Sequence, residues 1–158
     1  MNPHLNAIVD DNFDEALKEA YDVDDRVKRE LAGQRKPNEK SIYDYPFLGV
    51  PFTTKNSIAV KGKKFSAGLM VRKNVRAQCD SVVIDRMKRK GGAIFLALTN
   101  IPEIVMWINS DNKLDGRTNN PYDMARTSGG SSGGEGALIS AAGSVIGVCF
   151  LISLHRKA

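Results

Sequence analysis

An α/β layered domain is what this 158-residue sequence predicts. Three observations carry that expectation. The chain opens with apolar residues at three- and four-residue spacing. Short apolar runs of strand length come after it, and glycines punctuate the boundaries between the two patterns. In order, residues 11–32 read as a leading helix, with Phe13, Ala16, Leu17, Ala20, Val23, Val27 and Leu31 on one face and Gly33 as its stop. Residues 34–44 form a polar connector around Pro37. Phe47 to Lys55 reads as a strand arriving at a lysine, and Lys61 to Lys64 as a turn. Ser81 to Lys90 is an amphipathic helix capped by Asp80 or Ser81 and stopped by Gly91 and Gly92. Its apolar face is Val82, Val83, Ile84 and Met87. Ala93 to Leu98 suits a buried strand, and Ile101 to Trp107 a short helix with Pro102 in its first turn. Ser110 to Arg126 is polar and turn-rich. A Ser/Gly loop follows, then a helix over Glu135 to Ala142 and a strand over Ser144 to Val148.

The bulk composition narrows the function classes. With 42% hydrophobic and 26% charged residues, the chain is globular rather than disordered. The net charge of +5 is spread among acids, and Arg86 to Lys90 reads as a solvated helix face. No nucleic-acid motif accompanies it, so a nucleic-acid partner is not expected. Cys79 and Cys149 make neither a disulfide framework nor a metal site, and His4 and His155 leave a histidine triad without material. No cofactor or metal is called for. Residues 1–6 lack the basic and apolar regions of a secretory signal, which points to an intracellular, cytoplasmic chain. Gly136 to Leu154 carries no charge and is followed by His155-Arg156-Lys157. A buried helix and strand is the favoured reading. Membrane contact through residues 136–154, with peripheral association, is the alternative.

The chemistry concentrates in Ser128-Gly129-Gly130-Ser131-Ser132-Gly133-Gly134-Glu135. Glycine pairs around two hydroxyls let the backbone approach another group closely while aiming Ser131 and Ser132 at it. Without a useful histidine, catalytic serines need another base, and a lysine serves when burial keeps it neutral. Lys55 is the best candidate, because it ends an apolar run where α/β strands meet a cleft. The alternatives are a surface lysine beside a flexible linker, or a phosphate cradle. A linker seldom runs straight into a helix, and the lysine and hydroxyl that close a P-loop are missing.

Three segments together resemble the amidase signature family: Gly49-Val50-Pro51-Phe52-Thr53-Thr54-Lys55, Asn119-Asn120-Pro121-Tyr122-Asp123, and Gly129 to Gly136. Within that family the chain looks most like the fatty-acid amide hydrolase branch, supported by Ser66-Ala67-Gly68-Leu69, Leu98 to Glu103 and Met106-Trp107. The resemblance runs from about Leu5 to Val148. It implies an α/β/α domain with a mixed central sheet that hydrolyses amide bonds of small molecules, fatty-acyl amides among them, through a Ser-Ser-Lys triad. Lys55 would be the general base and Ser131 the proton relay, usually in a cis peptide linkage. Gly129, Gly130, Ser132, Gly133 and Gly134 would shape the loop.

The match fails from Cys149 onward. The family's attacking serine follows the relay by about 24 residues, at the end of an Asp-Ile/Val-Gly-Gly-Ser run, and that count reaches His155. Ser153 is out of register and lacks the glycine pair, whose N–H groups would form the oxyanion hole. The expectation is therefore the N-terminal portion of an amidase domain over residues 1–148 and a divergent apolar and basic tail over 149–158. Such a chain holds base and relay, has no nucleophile, and does not turn over alone. A non-catalytic interaction, regulatory or membrane-associated form is the alternative function. The alternatives for the tail are a splice form, a gene-model error or a real truncation. Oligomeric state is left open.

Overall fold

The computed structural model describes residues 2–150. A short helix α1 (Asn2–Leu5) leads into strand β1 (Ile8–Asp11) and the long helix α2 (Phe13–Leu31). Acids Asp14 and Glu15 in the first turn of α2 and Lys28 and Arg29 in its last complement the helix dipole. The helix starts two residues later than the periodicity predicts. Asp11 is taken into the sheet opposite Ala97, and the Asn12 side chain donates to Phe95 O. Of the predicted apolar face only Ala16 is buried. Phe13, Leu17 and Leu31 are exposed, since nothing among the described residues covers that side.

Strand β2 (Pro51–Lys55) begins at proline, where a missing N–H is tolerated, and ends at the lysine. The predicted lead-in over Phe47 to Val50 is a turn, with Val50 N–H donating to Phe47 O. Helix α3 (Val82–Asp85) widens into a π-helical turn over Arg86–Lys90. Only Ile84 of the predicted face is fully buried; Val82 and Val83 are exposed. Strand β3 (Ile94–Thr99) is almost wholly buried, as a strand covered on both faces requires. The predicted helix over Ile101 to Trp107 is reduced to a 3₁₀ turn, Glu103–Val105. The two-residue strands β4 (Asp111–Asn112) and β5 (Gly116–Arg117) form a hairpin. Helix α4 (Gly133–Ser140) and strand β6 (Ile146–Val148) follow.

The main sheet has the order β1-β3-β2-β6 and is mixed: β1 runs antiparallel to β3, while β3, β2 and β6 are parallel. The chain leaves β2 through α3 to reach β3 on one side, then returns past β2 through α4 to lay β6 on the other. The carboxyl end of β2 is thus the border at which the crossovers diverge, the position where open α/β sheets form a crevice. Lys55 stands there.

Strand alternation divides the two layers. Phe52 packs edge-on against Phe95 with ring centroids 5.7 Å apart, in one cluster with Ile58, Val60, Ile84, Ala93 and Leu98. Thr53 and Lys55 point to the opposite face, toward α4, whose Ala137 and Leu138 pack with Leu5 and Ala7. A register shift leaves Leu96 unpaired between Phe95, opposite Phe52, and Ala97, opposite Thr53. The bulge lets Phe95 and Leu98 serve one layer while Thr99 serves the other.

Candidate active site

Lys55 is fully buried at the end of β2. Its Nζ donates to Ser131 Oγ at 2.9 Å and to Ser132 Oγ at 3.1 Å. Two residues 76 and 77 positions along the chain thus meet the lysine on the α4 side of the sheet. The Phe150 ring covers the amine, with Nζ 5.5 Å from its centroid. Burial pushes the lysine's pKa below the ordinary lysine value, while nearby Cys149 and Glu135 pull it back up.

The Ser/Gly loop is held by close packing. The Gly130–Ser131 peptide bond is cis, and Gly129 sits at φ +82°, the left-handed region that glycine enters freely. A Cβ on Gly130 would lie 2.6 Å from Trp107 O and from Ile108 C. One on Gly134 would lie 2.5 Å from both Asn100 N and Asn100 O. Ser110, also buried, ties the loop down: its N–H donates to Gly129 O at 3.0 Å, and its Oγ accepts from Gly133 N–H at 2.8 Å. Serine, lysine and glycines are therefore brought together as one unit by β2, the segment before β4, and the start of α4.

Sequence reasoning missed Glu135. It is buried, with Oε2 accepting from Thr53 Oγ1 at 2.7 Å and Oε1 from Thr99 Oγ1 at 3.0 Å. Burial raises its pKa from 4.5 to about 7, against the opposing pull of Thr53, Thr99 and Lys55. A signal was present in the sequence: Glu135 is the single acid between Arg126 and Arg156, and an isolated carboxyl in an uncharged stretch has no solvated face to belong to. A second cleft of about 580 Å³ lies between α2 and the π-helical turn, lined by Val23, Arg26, Tyr45 and Leu48, and none of the site residues line it.

Cys79 and Cys149 are free thiols. Ser153, His155 and the tail from residue 151 lie outside the described residues. Within 136–150 the chain is used by α4 and β6. Among the described residues no helix is long and apolar enough to cross a membrane.

Comparison with known proteins gives a consistent result. The sequence model of the family described as Amidase matches residues 1–149. Human fatty-acid amide hydrolase 2 is 45% identical over 149 residues, 94% of this chain and 27% of that protein. A solved fatty acid amide hydrolase superposes with a TM-score of 0.78 at 29% identity, covering 92% of this chain and 24% of that one. A 6-aminohexanoate cyclic dimer hydrolase, solved with substrate, gives a TM-score of 0.71 at 32% identity over 90% of this chain and 26% of its own. The chain thus spans about a quarter of the length of the relatives it matches.

Proposed function

Since this chain belongs to the amidase signature family, we propose that it carries the base and relay of a site for hydrolysing amide bonds, fatty-acyl amides being the substrate class. The observation that carries this reading is a buried lysine whose Nζ lies 2.9 Å from the hydroxyl of Ser131. A lysine acts as a base only when neutral, and the burial that depresses its pKa favours that form.

The steps are those of acyl transfer through a relay. A serine outside these residues attacks the amide carbonyl carbon and gives its proton to Ser131 Oγ. Ser131 in the same movement passes its own proton to Lys55 Nζ. The resulting acyl-enzyme forms as the C–N bond breaks, the proton returning from Lys55 through Ser131 to the departing amine nitrogen. Water then cleaves the ester with the same pair as base. Ser132 supports the loop with its second hydrogen bond to Lys55. Gly129, Gly130, Gly133 and Gly134 permit the approach.

Residues 1–158 alone are not expected to turn over, since the Asp-Ile/Val-Gly-Gly-Ser run is missing from them. A chimera tests the reading: residues 1–148 joined to the portion of the human relative that follows its matched segment. It should release fatty acid from a fatty-acyl amide, and Lys55→Ala or Ser131→Ala should each lower kcat by about 10²-fold or more. A chimera indifferent to both substitutions would refute these roles. Turnover by residues 1–158 that survives Ser153→Ala and is lost with Lys55→Ala would overturn the account of the nucleophile.

A further inference from the structure

Glu135 has no part in the transfer steps, yet its two carboxyl oxygens are bonded to residues that flank Lys55 in the sheet. Thr53, which donates to Glu135 Oε2, is two residues before Lys55 and on the same face of β2. Thr99, which donates to Oε1, is the register partner of Lys55 on β3. One threonine thus flanks Lys55 along its own strand and the other across the parallel neighbour, so the carboxyl is set against the lysine by two independent strands. Strand β6 closes the remaining side. A Cβ on Gly147 would come within 2.5 Å of Glu135 Oε2, so the backbone there is packed onto the carboxyl itself.

We propose that Glu135 acts on Lys55 as a positioning residue, its carboxyl switching between a neutral and an ionised form inside a cradle of hydroxyls and so governing the charge that the lysine carries. The cradle accepts both forms without leaving a polar atom unpaired. When the carboxyl is ionised, Thr53 and Thr99 each donate to it. When it is neutral, its O–H donates to Thr53 Oγ1. Thr53 then donates to Ser144 Oγ at 3.0 Å, and Ser144 donates to Ile146 O at 3.0 Å. Thr99 also has Thr54 O within 3.3 Å as a second acceptor. Hydroxyls with two available acceptors let a buried acid change charge at small cost in hydrogen bonds.

The consequence for the lysine follows from Coulomb's law. The ionised carboxylate stabilises the ammonium form, and the neutral acid releases the lysine to be a free amine. The titratable neighbours on this side are Lys55 from β2 and Cys149 after β6; β3 presents Thr99, and α4 contributes the carboxyl itself. Burial holds Glu135 titrating at about 7, within reach of cellular pH. This role rests on the reading of Lys55 as a base, and its test avoids turnover altogether.

Nuclear magnetic resonance on the whole chain, with ¹³Cε-labelled lysine and ¹³Cδ-labelled glutamate, follows both groups through a pH titration. In Glu135→Gln the Lys55 midpoint should fall by about one pH unit or more. In Glu103→Gln, at an exposed acid, it should stay where it is. An unmoved Lys55 midpoint in a folded Glu135→Gln protein overturns the proposal and leaves Glu135 a packing residue. The unsubstituted protein supplies the second measurement. There, Glu135 should titrate near neutrality and the Lys55 resonance should register the same event. A carboxyl ionised throughout, or a Lys55 resonance blind to it, also overturns the proposal. Neither result depends on whether Lys55 takes a proton from Ser131, which the chimera decides.

Discussion

Glu135→Gln should flatten the stability of this protein between pH 4.5 and 7. Folding raises the Glu135 pKa from 4.5 to about 7, so across that window the folded state keeps a proton that the unfolded chain has released. Stability is then fully present below the unfolded value and drains as pH rises toward the folded one. A rise of about 2.5 pH units at about 1.4 kcal/mol each amounts to about 3 kcal/mol. Glu135 is only 3% exposed, so solvent screening removes little of it. Glutamine keeps the shape of the acid and can donate to Thr53 as the neutral form does, but it has no proton to lose. Urea unfolding followed by circular dichroism, at intervals from pH 4.5 to 7.5, gives the two curves. Their difference should grow by about 3 kcal/mol across the window, with the wild type falling relative to the variant. Groups that Glu135 does not influence cancel in that difference, and Lys55, whose titration the substitution also moves, is taken out by recording both curves on a Lys55→Met background. The carboxyls of Glu15, Glu30, Glu39 and Asp85, lowered by their hydrogen-bonded partners, titrate below the window, and Glu19, raised by burial, is common to both proteins. Parallel curves would refute the reasoning, because a carboxyl with the same pKa folded and unfolded leaves no trace on stability.

The remaining expectations probe packing and the other buried groups. Gly134→Ala should destabilise by about 1–3 kcal/mol in chemical unfolding, since the added methyl meets the Asn100 backbone at 2.5 Å, where nothing flexible can yield. Gly136→Ala, two residues on in the same helix, has nothing nearer than Ser128 O at 4.0 Å, and should stabilise by about 0.5–1 kcal/mol through helix propensity. Asn112→Ala should cost about 3 kcal/mol, on the order of 10 °C in Tm by calorimetry. The Asn112 side chain bonds Asn100 Oδ1, Ile101 O, Leu114 N–H and Asp115 N–H at once, and alanine removes all four bonds, leaving Asn100 Oδ1 with only Ile101 N–H. Stability should also climb as pH rises from the depressed Lys55 pKa toward 10.5, because the unfolded chain binds the proton more readily. That climb should disappear in Lys55→Met.

The local elements that present the candidate site are legible in the sequence. A strand that ends at Lys55 shows in the apolar run before it, and the Ser131–Ser132 loop shows in its glycine pairs, because both are local patterns with local causes. The α/β class follows from the same punctuation. The errors fall where tertiary contacts overrule local preference. Asp11 adjoins a helical period and so predicts as helix, yet its partner Ala97 lies far along the chain and pulls it into β1. Val82 and Val83 belong to the helix's apolar face, yet only Ile84 of the three is buried in the core.

Which groups exist and which stretches present them is written locally along the chain: a lysine at a strand's end, two serines between glycines, one acid in an uncharged stretch. Their company comes from the folding of distant segments onto one another. The order β1-β3-β2-β6 places Thr99 beside Lys55, and the bulge at Leu96 turns that threonine toward α4. Thr53 and Glu135, 82 positions apart, close into a single hydrogen bond. Strand pairing is a choice among distant segments, settled by burial and backbone hydrogen bonding over the whole chain. Periodicity within a segment carries no record of which neighbour it will meet.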